Sequence, residues 1–213
     1  MTTAAQNIWY LRVLGEMHSR YGFTADMLEQ MTVDQRNEVW REYARRDDVD
    51  TSVLPDTFWV DPPMAGARGK TLKAAHVAAV FLTVSREFLD VLEQFDLGLF
   101  KSWPVTLLKR DKTTPFEGEW HAIWVGTRKD GFLRDKSHNF KVPPYERTKH
   151  LAIPRPEAVD GDFVFDVSVA AGPDLWRDQN FSQSLLLSDR LHTALKEAGL
   201  LKKLVVLRCP LVG

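Results

Sequence analysis

Hydrophobic positions recur in the same order in two segments of the chain. In each segment an apolar run ends at a serine, Ser85 or Ser188, and apolar residues then follow at the spacing of one helix face. The two helical stripes are Phe88, Val91, Leu92 and Phe95, and Leu191, Ala194, Leu195 and Ala198. Gly199 follows the second stripe at the position of a left-handed C-cap. Both segments therefore predict a strand, a serine N-cap, an amphipathic helix and a further strand near Pro104 or Pro210.

The remaining pattern predicts short strands separated by helical and irregular segments. β-Branched and aromatic residues predict strands over residues 8–14, 58–60, 119–125 and 163–169. A helical region is predicted over residues 24–46, where Thr32 and Gln35 have the spacing of a capping box. Residues 174–181 predict a short helical turn. Residues 126–157 are rich in Lys, Arg and Pro and predict a long connection.

These elements predict an α+β fold with a mixed sheet, amphipathic helices and two strand–cap–helix–strand units. The 213 residues are enough to bury a sizeable core. We expect a single α+β domain over residues 1–213, with 1–115 and 116–213 as lobes within it.

Composition favours a soluble globular protein, because 44% of the residues are hydrophobic and 27% are charged. The single cysteine, Cys209, cannot form an internal disulfide and is typical of a reducing compartment. The sequence has no signal-peptide pattern and no apolar run near the roughly 20 residues of a membrane helix. We therefore expect a cytoplasmic protein. The net charge of −1 argues against a nucleic-acid or membrane-surface binder.

The charge is unevenly distributed along the chain. Residues 26–61 hold ten acidic and four basic residues, a net charge of −6, whereas residues 101–155 hold twelve basic and six acidic residues, a net charge of +6. Two solvated faces are one explanation of this separation. A charged surface that meets a partner of opposite sign is the other, since complementary charge accelerates association.

The candidate chemical motifs predict no catalytic, cofactor or metal site. The segment Gly66–Thr71 resembles a phosphate-binding loop, but Met64 occupies the position of its first glycine. The six histidines lack metal-ligand spacing, and Cys209 is predicted to be a buried, unreactive thiol. Four aspartates that could hold a metal are better explained by turns and caps: Asp162, Asp166, Asp174 and Asp178. Ser188 lacks the glycine-flanked elbow of a hydrolase nucleophile, so capping explains it more simply.

Trp176 and Arg177 are a candidate recognition pair. Both residue types are enriched where proteins bind each other most tightly. The structural alternative is that Trp176 fills the core while Arg177 pairs with a carboxylate, and we favour that alternative.

Several stretches resemble a family of bacterial immunity proteins from polymorphic-toxin systems, the family numbered eleven, which has a myxobacterial prototype. The stretches are Val84–Asp96, Trp103–Val105, Leu175–Arg177 and Leu186–Leu195, and the resemblance spans residues 58–210. It implies a non-enzymatic protein that binds and neutralises a cognate toxin, usually encoded by the adjacent gene. The shared positions are caps and core residues, so the resemblance implies no functional side chains.

The acidic segment is the expected interface if that toxin is basic, as a nuclease-like toxin would be. The residues predicted to contact it are Glu38, Glu42, Asp47, Asp48 and Asp50, with the connection 126–157 as the other candidate surface. A small-ligand-binding protein or an enzyme is the alternative, with a site assembled from distant residues such as His121, Asp166 and Arg177. A deep pocket lined by these groups would favour that alternative, and a charged groove would favour partner binding. A self-assembling structural protein is a third hypothesis, and the oligomeric state stays open.

Overall fold

The computed structural model shows an α+β protein whose strands form mixed sheets. It describes residues 7–14, 22–29, 31, 32, 34, 35, 43, 48–61, 71–144, 151–183 and 185–213. The chain divides into two compact units. Unit 1 comprises Met1–Gly15, Leu92–Gly98 and Thr127–Gly213, and unit 2 comprises Glu16–Val91 and Leu99–Gly126. The predicted lobes do not coincide with these units, because each unit is assembled from separate segments of the chain.

The strands of unit 1 are β1 (Asn7–Leu11), β8 (Arg128–Lys129), β9 (Phe140–Lys141), β10 (Ile153–Pro154), β11 (Phe165–Asp166), β12 (Leu175–Asp178), β13 (Leu186–Ser188) and β14 (Val206–Val212). Six of them form one sheet with the order β11-β14-β1-β13-β12-β8, and β9 and β10 pair as a separate two-stranded sheet. The helix of unit 1 is α3 (Asp189–Glu197), and its 3-10 helices are Arg134–Lys136 and Val167–Ala170. The predicted early strand is therefore confirmed, and it lies centrally, antiparallel to both β13 and β14.

Helix α3 begins and ends at the residues that the sequence predicts. The Ser188 hydroxyl accepts a hydrogen bond from the Leu191 backbone N–H at 3.2 Å. At the other end Gly199 has φ +73°, and the Gly199 and Leu200 N–H groups donate to the carbonyls of Lys196 and Leu195. These two bonds form a Schellman motif, which satisfies carbonyls that the helix itself leaves unpaired.

Aromatic side chains fill the core of unit 1. Phe163, Phe165 and Trp176 are fully buried, together with Tyr10 and Phe181. The Phe181 ring lies 5.1 Å from the Tyr10 ring and 4.7 Å from the Phe163 ring, measured between centroids. Large rings of this kind contribute both buried area and favourable edge-to-face contacts.

Unit 2 is built on a second six-stranded sheet, with the order β2-β3-β6-β7-β5-β4. Its strands are β2 (Phe23–Thr24), β3 (Thr57–Val60), β4 (Ala75–Ala78), β5 (Phe81–Ser85), β6 (Phe100–Leu108) and β7 (Trp120–Val125). Its helical elements are α1 (Asp26–Glu29), the 3-10 helix Thr51–Val53, and α2 (Arg86–Leu92), whose last residue is assigned to unit 1. The predicted strands over residues 58–60 and 119–125 are confirmed.

The sheet of unit 2 curves until its edge strands approach each other. The ring of Phe23, in β2, lies 5.9 Å from the ring of His76, in β4, although these strands are at opposite edges. The core of this unit includes Phe58, Phe81 and Trp124, which are buried. Helix α2 begins as predicted, because the Ser85 hydroxyl accepts a hydrogen bond from the Phe88 N–H at 3.3 Å.

The predicted capping box of the acidic region is also confirmed. The Thr32 N–H donates to the Gln35 side-chain oxygen at 2.8 Å, and the Gln35 N–H donates to the Thr32 hydroxyl at 3.3 Å. Helix α1 covers Asp26–Glu29, and most of the predicted helical region beyond residue 35 lies outside the described residues.

Three predictions for the C-terminal half are wrong in whole or in part. Residues 175–178 form strand β12 instead of a helical turn, because they pair with β13 on one side and β8 on the other. Within residues 163–169 only Phe165–Asp166 is strand, since Asp166 caps the 3-10 helix that follows. The connection 126–157 contains the short strands β8, β9 and β10. Over the part of the chain that the structure describes, no helix has the length and apolarity that a membrane crossing requires.

Candidate functional site

An open groove in unit 2 lies where the acidic segment meets the sheet. It has a volume of about 450 Å³. Its lining residues come from α1 and from the segment that leads into β3: Asp26, Met27, Ser52, Val53, Leu54, Pro55, Asp56 and Thr57. Among these lining residues are two carboxylates and no Lys, Arg or His. We call this feature the acidic groove.

Strand β6 holds one wall of the acidic groove in place. The Lys101 ammonium donates to the Val49 carbonyl at 2.7 Å, and the Trp103 indole N–H donates to the Pro55 carbonyl at 3.1 Å. Further along the strand, the Thr106 N–H donates to the Asp56 carbonyl at 2.7 Å. Three bonds from one strand thus hold the backbone of this wall and of the residues just before it.

Helix α1 forms the other wall of the groove. Leu28 is buried and anchors the single turn, so the neighbouring Met27 is left at the surface. The Glu29 carboxylate accepts a hydrogen bond from the Lys112 ammonium at 3.1 Å. That ammonium also lies 4.2 Å from the centre of the Trp59 ring, in a cation–π contact.

Two of the five predicted acidic interface residues are described, and both also have structural roles. The Asp48 carboxylate pairs with Lys101 at 2.5 Å, and the hydrogen bond from Lys101 holds the pKa of Asp48 below its ordinary value. Asp50 caps the 3-10 helix by accepting hydrogen bonds from the Ser52 hydroxyl and N–H, which lower its pKa. Both carboxylates are exposed and charged at neutral pH. Glu38, Glu42 and Asp47 lie outside the described residues.

The predicted recognition pair lies in unit 1, on β12. Trp176 is fully buried, so its side chain belongs to the core, which is what the structural alternative predicts. Arg177 is half-buried. The Lys129 ammonium lies 3.8 Å from the centre of the Trp176 ring.

Lys129 also binds the loop that precedes β12. Its ammonium donates to the carbonyls of Val169, Ala171 and Pro173 at 2.8, 2.9 and 2.9 Å. Burial lowers the pKa of Lys129 to about 8, so the side chain is still charged at neutral pH. This lysine serves as a cross-link between β8 and the loop, because each of its three protons has an acceptor.

The four aspartates considered as metal ligands accept hydrogen bonds from nearby protein groups. Asp162 and Asp166 accept hydrogen bonds from the Val159 and Ser168 N–H groups. Two deeper carboxylates bind several donors each: Asp174 accepts from Arg190, Ser188 and the Asp96 N–H, and Asp178 from the Gly131, Phe132 and Asn180 N–H groups. Over the described ranges, no three His, Cys, Asp or Glu side chains cluster as a metal site would require.

The residues named for the alternative site are divided between the two units. Asp166 and Arg177 belong to unit 1, whereas His121 belongs to β7 of unit 2. Cys209 is fully buried, and burial raises the pKa of its thiol. His192 stacks on Trp9, with 3.6 Å between ring centroids, and burial lowers its pKa. Residues 62–70, with most of the loop that resembles a phosphate-binding loop, lie outside the described residues, as do His18 and His150.

The sequence did not indicate the apolar part of the acidic groove. Val53 and Met27 are exposed, although both are large hydrophobic residues. Their segments are too short for a periodic pattern, since α1 has four residues and the 3-10 helix has three. Only the acidic residues around them could be recognised, from their density in residues 26–61.

No family model matches the chain, and no curated protein matches it. The resemblance to immunity proteins therefore stays a prediction.

Proposed function

We propose that this protein binds a basic toxin domain and neutralises it by protein–protein contact, without catalysing a reaction. The observation that supports this proposal is the acidic groove of unit 2. It combines exposed carboxylates with exposed apolar side chains, and β6 binds the backbone of one of its walls. A surface of mixed character on a backbone held in this way suits a protein partner, because less conformational entropy is lost when it binds.

Charge would contribute chiefly to the rate of association. Asp26 and Asp56 line the groove and are exposed, and the nearby chain segment adds the exposed carboxylate of Asp50. A basic partner would be steered toward such a surface at low ionic strength, and salt would screen the effect. The apolar side chains would then contribute to the lifetime of the complex.

The proposal extends to the scaffold of each unit. We propose that the two strand–serine–helix–strand segments serve as equivalent supports, one around Ser85 and one around Ser188. We further propose that the protein acts in the cytoplasm, where a toxin made by the same cell would first be encountered.

A small cationic ligand is the second candidate occupant. The groove volume of about 450 Å³ lies within the range of ligand sites, and two carboxylates line it. Its openness favours a protein, since small ligands are usually enclosed over most of their surface.

Co-expression with the toxin-like domain encoded by the neighbouring reading frame tests the proposal. We expect the protein to restore growth of cells that make the toxin and to purify with it as a complex. The control is an unrelated acidic protein of similar size, which should do neither. Absence of both a complex and a growth rescue would refute the proposed function.

A further inference from the structure

A similar capped turn occurs in each unit, and its valine is buried in one unit and exposed in the other. Asp50-Thr-Ser-Val53 and Asp166-Val-Ser-Val169 both consist of an aspartate cap, a serine two positions later and a valine in third place. In each turn the aspartate side chain accepts a hydrogen bond from the serine N–H, at 3.0 Å in unit 2 and 2.9 Å in unit 1. A 3-10 helix follows each cap.

The valine of unit 1 is a core residue. Val169 is 2% exposed and packs so closely on Gly131 that a methyl group there would overlap its Cγ1 atom. The equivalent Val53 is 68% exposed. The capping hydrogen bond is the same in both turns, so the difference in exposure reflects what each turn packs against.

Val53 is not alone at the surface of unit 2. It lines the acidic groove together with Met27, which is 38% exposed. Exposed hydrophobic side chains that line a groove with polar residues at its rim suit a protein-binding site. Methionine suits such a site because its flexible, polarisable side chain adapts to different partners.

The carboxylates beside Val53 and Met27 favour a positively charged partner. Asp26 and Asp56 line the groove and are exposed, and no basic residue lines it among those described. Two described lysines of unit 2 are engaged in ion pairs, Lys101 with Asp48 and Lys112 with Glu29.

We propose that the acidic groove binds an aliphatic side chain of the partner that has Lys or Arg on either side, with Val53 as the main apolar contact. The proposal rests on the proposed function in one respect, namely that the partner is a basic protein. The partner side chain would cover Val53 as the core of unit 1 covers Val169. Asp26 and Asp56 would bind the flanking basic residues at the rim, where they favour fast association.

A short peptide tests the groove independently of any toxin. The probe is a synthetic peptide of sequence Lys-Arg-Leu-Arg-Lys, titrated at low salt into the full-length protein labelled at its Met and Val methyl groups. We expect saturating NMR shifts at Met27 and Val53, and roughly tenfold weaker binding when glycine replaces the leucine. Equal affinity for the two peptides, or shifts confined to other methyl groups, would overturn the proposal.

Substitutions then locate the same contact in the toxin complex. Val53→Asp should weaken binding of the toxin-like domain roughly 30-fold or more, as expected for a central contact. Val167→Asp is the matched control, because Val167 is 49% exposed on the equivalent turn of unit 1, and it should change binding little. Asp26→Asn combined with Asp56→Asn should reduce the association rate and its dependence on salt.

The peptide titration and the toxin-binding measurements test the groove assignment and the proposed function separately. A toxin complex that tolerates Val53→Asp would overturn the groove assignment and leave the proposed function standing. Selective peptide binding without any toxin complex would support the groove assignment and overturn the proposed function.

Discussion

Unit 2 should lose stability in mild acid because it buries a histidine where the edge strands of its curved sheet approach each other. His76 is fully buried in β4, where its ring lies 5.0 Å from the Trp120 ring and 5.9 Å from the Phe23 ring. Its Nδ1–H donates to the Lys73 carbonyl at 3.2 Å. Burial lowers the pKa of His76 from 6.5 to about 4, so the folded protein holds this ring neutral.

The lowered pKa of His76 determines the direction and the size of the change in stability. Between pH 6.5 and 4 the unfolded chain takes up a proton at His76 that the folded protein does not bind, so stability falls as the pH falls. A shift of this size corresponds to about 2 kcal/mol lost between pH 7.5 and pH 5, and about 3 kcal/mol by pH 4. The loss is large beside a typical stability of about 5–15 kcal/mol.

Urea unfolding at pH 7.5 and pH 5, followed by tryptophan fluorescence, measures this loss. His76→Asn removes the titrating ring and keeps a donor for the Lys73 carbonyl. We expect this variant to be less stable at pH 7.5 but to lose about 2 kcal/mol less than the wild type on going to pH 5. His138→Asn, at an exposed site, is the control and should retain the wild-type pH dependence. The same pH-dependent loss in the wild type and His76→Asn would refute the reasoning.

Three substitutions in unit 1 should reduce stability by separate mechanisms. Lys129→Met should lower the free energy of unfolding in urea by about 2 kcal/mol, because it removes three hydrogen bonds from an ammonium. A variant as stable as the wild type would show that these bonds are not stabilising. Gly131→Ala should cost about 1–3 kcal/mol, since the new methyl group would overlap Val169, and an unchanged midpoint would contradict that overlap. Ser188→Ala should cost about 1–2 kcal/mol in thermal unfolding through loss of the α3 cap, while Ser188→Thr should retain most of that stability.

Features set by neighbouring residues in the sequence were predicted correctly. The capping box of Thr32 and Gln35, the serine caps of α2 and α3 and the left-handed Gly199 each depend on a few adjacent residues. Their hydrogen bonds close within one helical turn, so sequence spacing determines them.

Features set by distant pairing were not predictable in the same way. Residues 175–178 follow Pro173 and Asp174, which is a typical helix start, yet they form a strand because β13 and β8 lie on either side. The acidic half of the candidate site could be found from composition. Its apolar half could not be found in this way, because the sequence Asp50-Thr-Ser-Val53 does not determine whether the valine is buried. The valine of the similar turn in unit 1 is buried.

The central position of β1 in its sheet has a consequence for the order of assembly during translation. Strand β1 precedes the described strands of unit 2 in the chain, whereas both of its neighbours, β13 and β14, follow them. The ribosome therefore completes the described strands of unit 2 before it makes the partners of β1. The sheet with the acidic groove can therefore assemble on a nascent chain, while β1 must wait unpaired for the C-terminal strands. A nascent chain would present the acidic groove before β13 and β14 are made, and the slow step would be the closure of the long loop between β1 and these two strands.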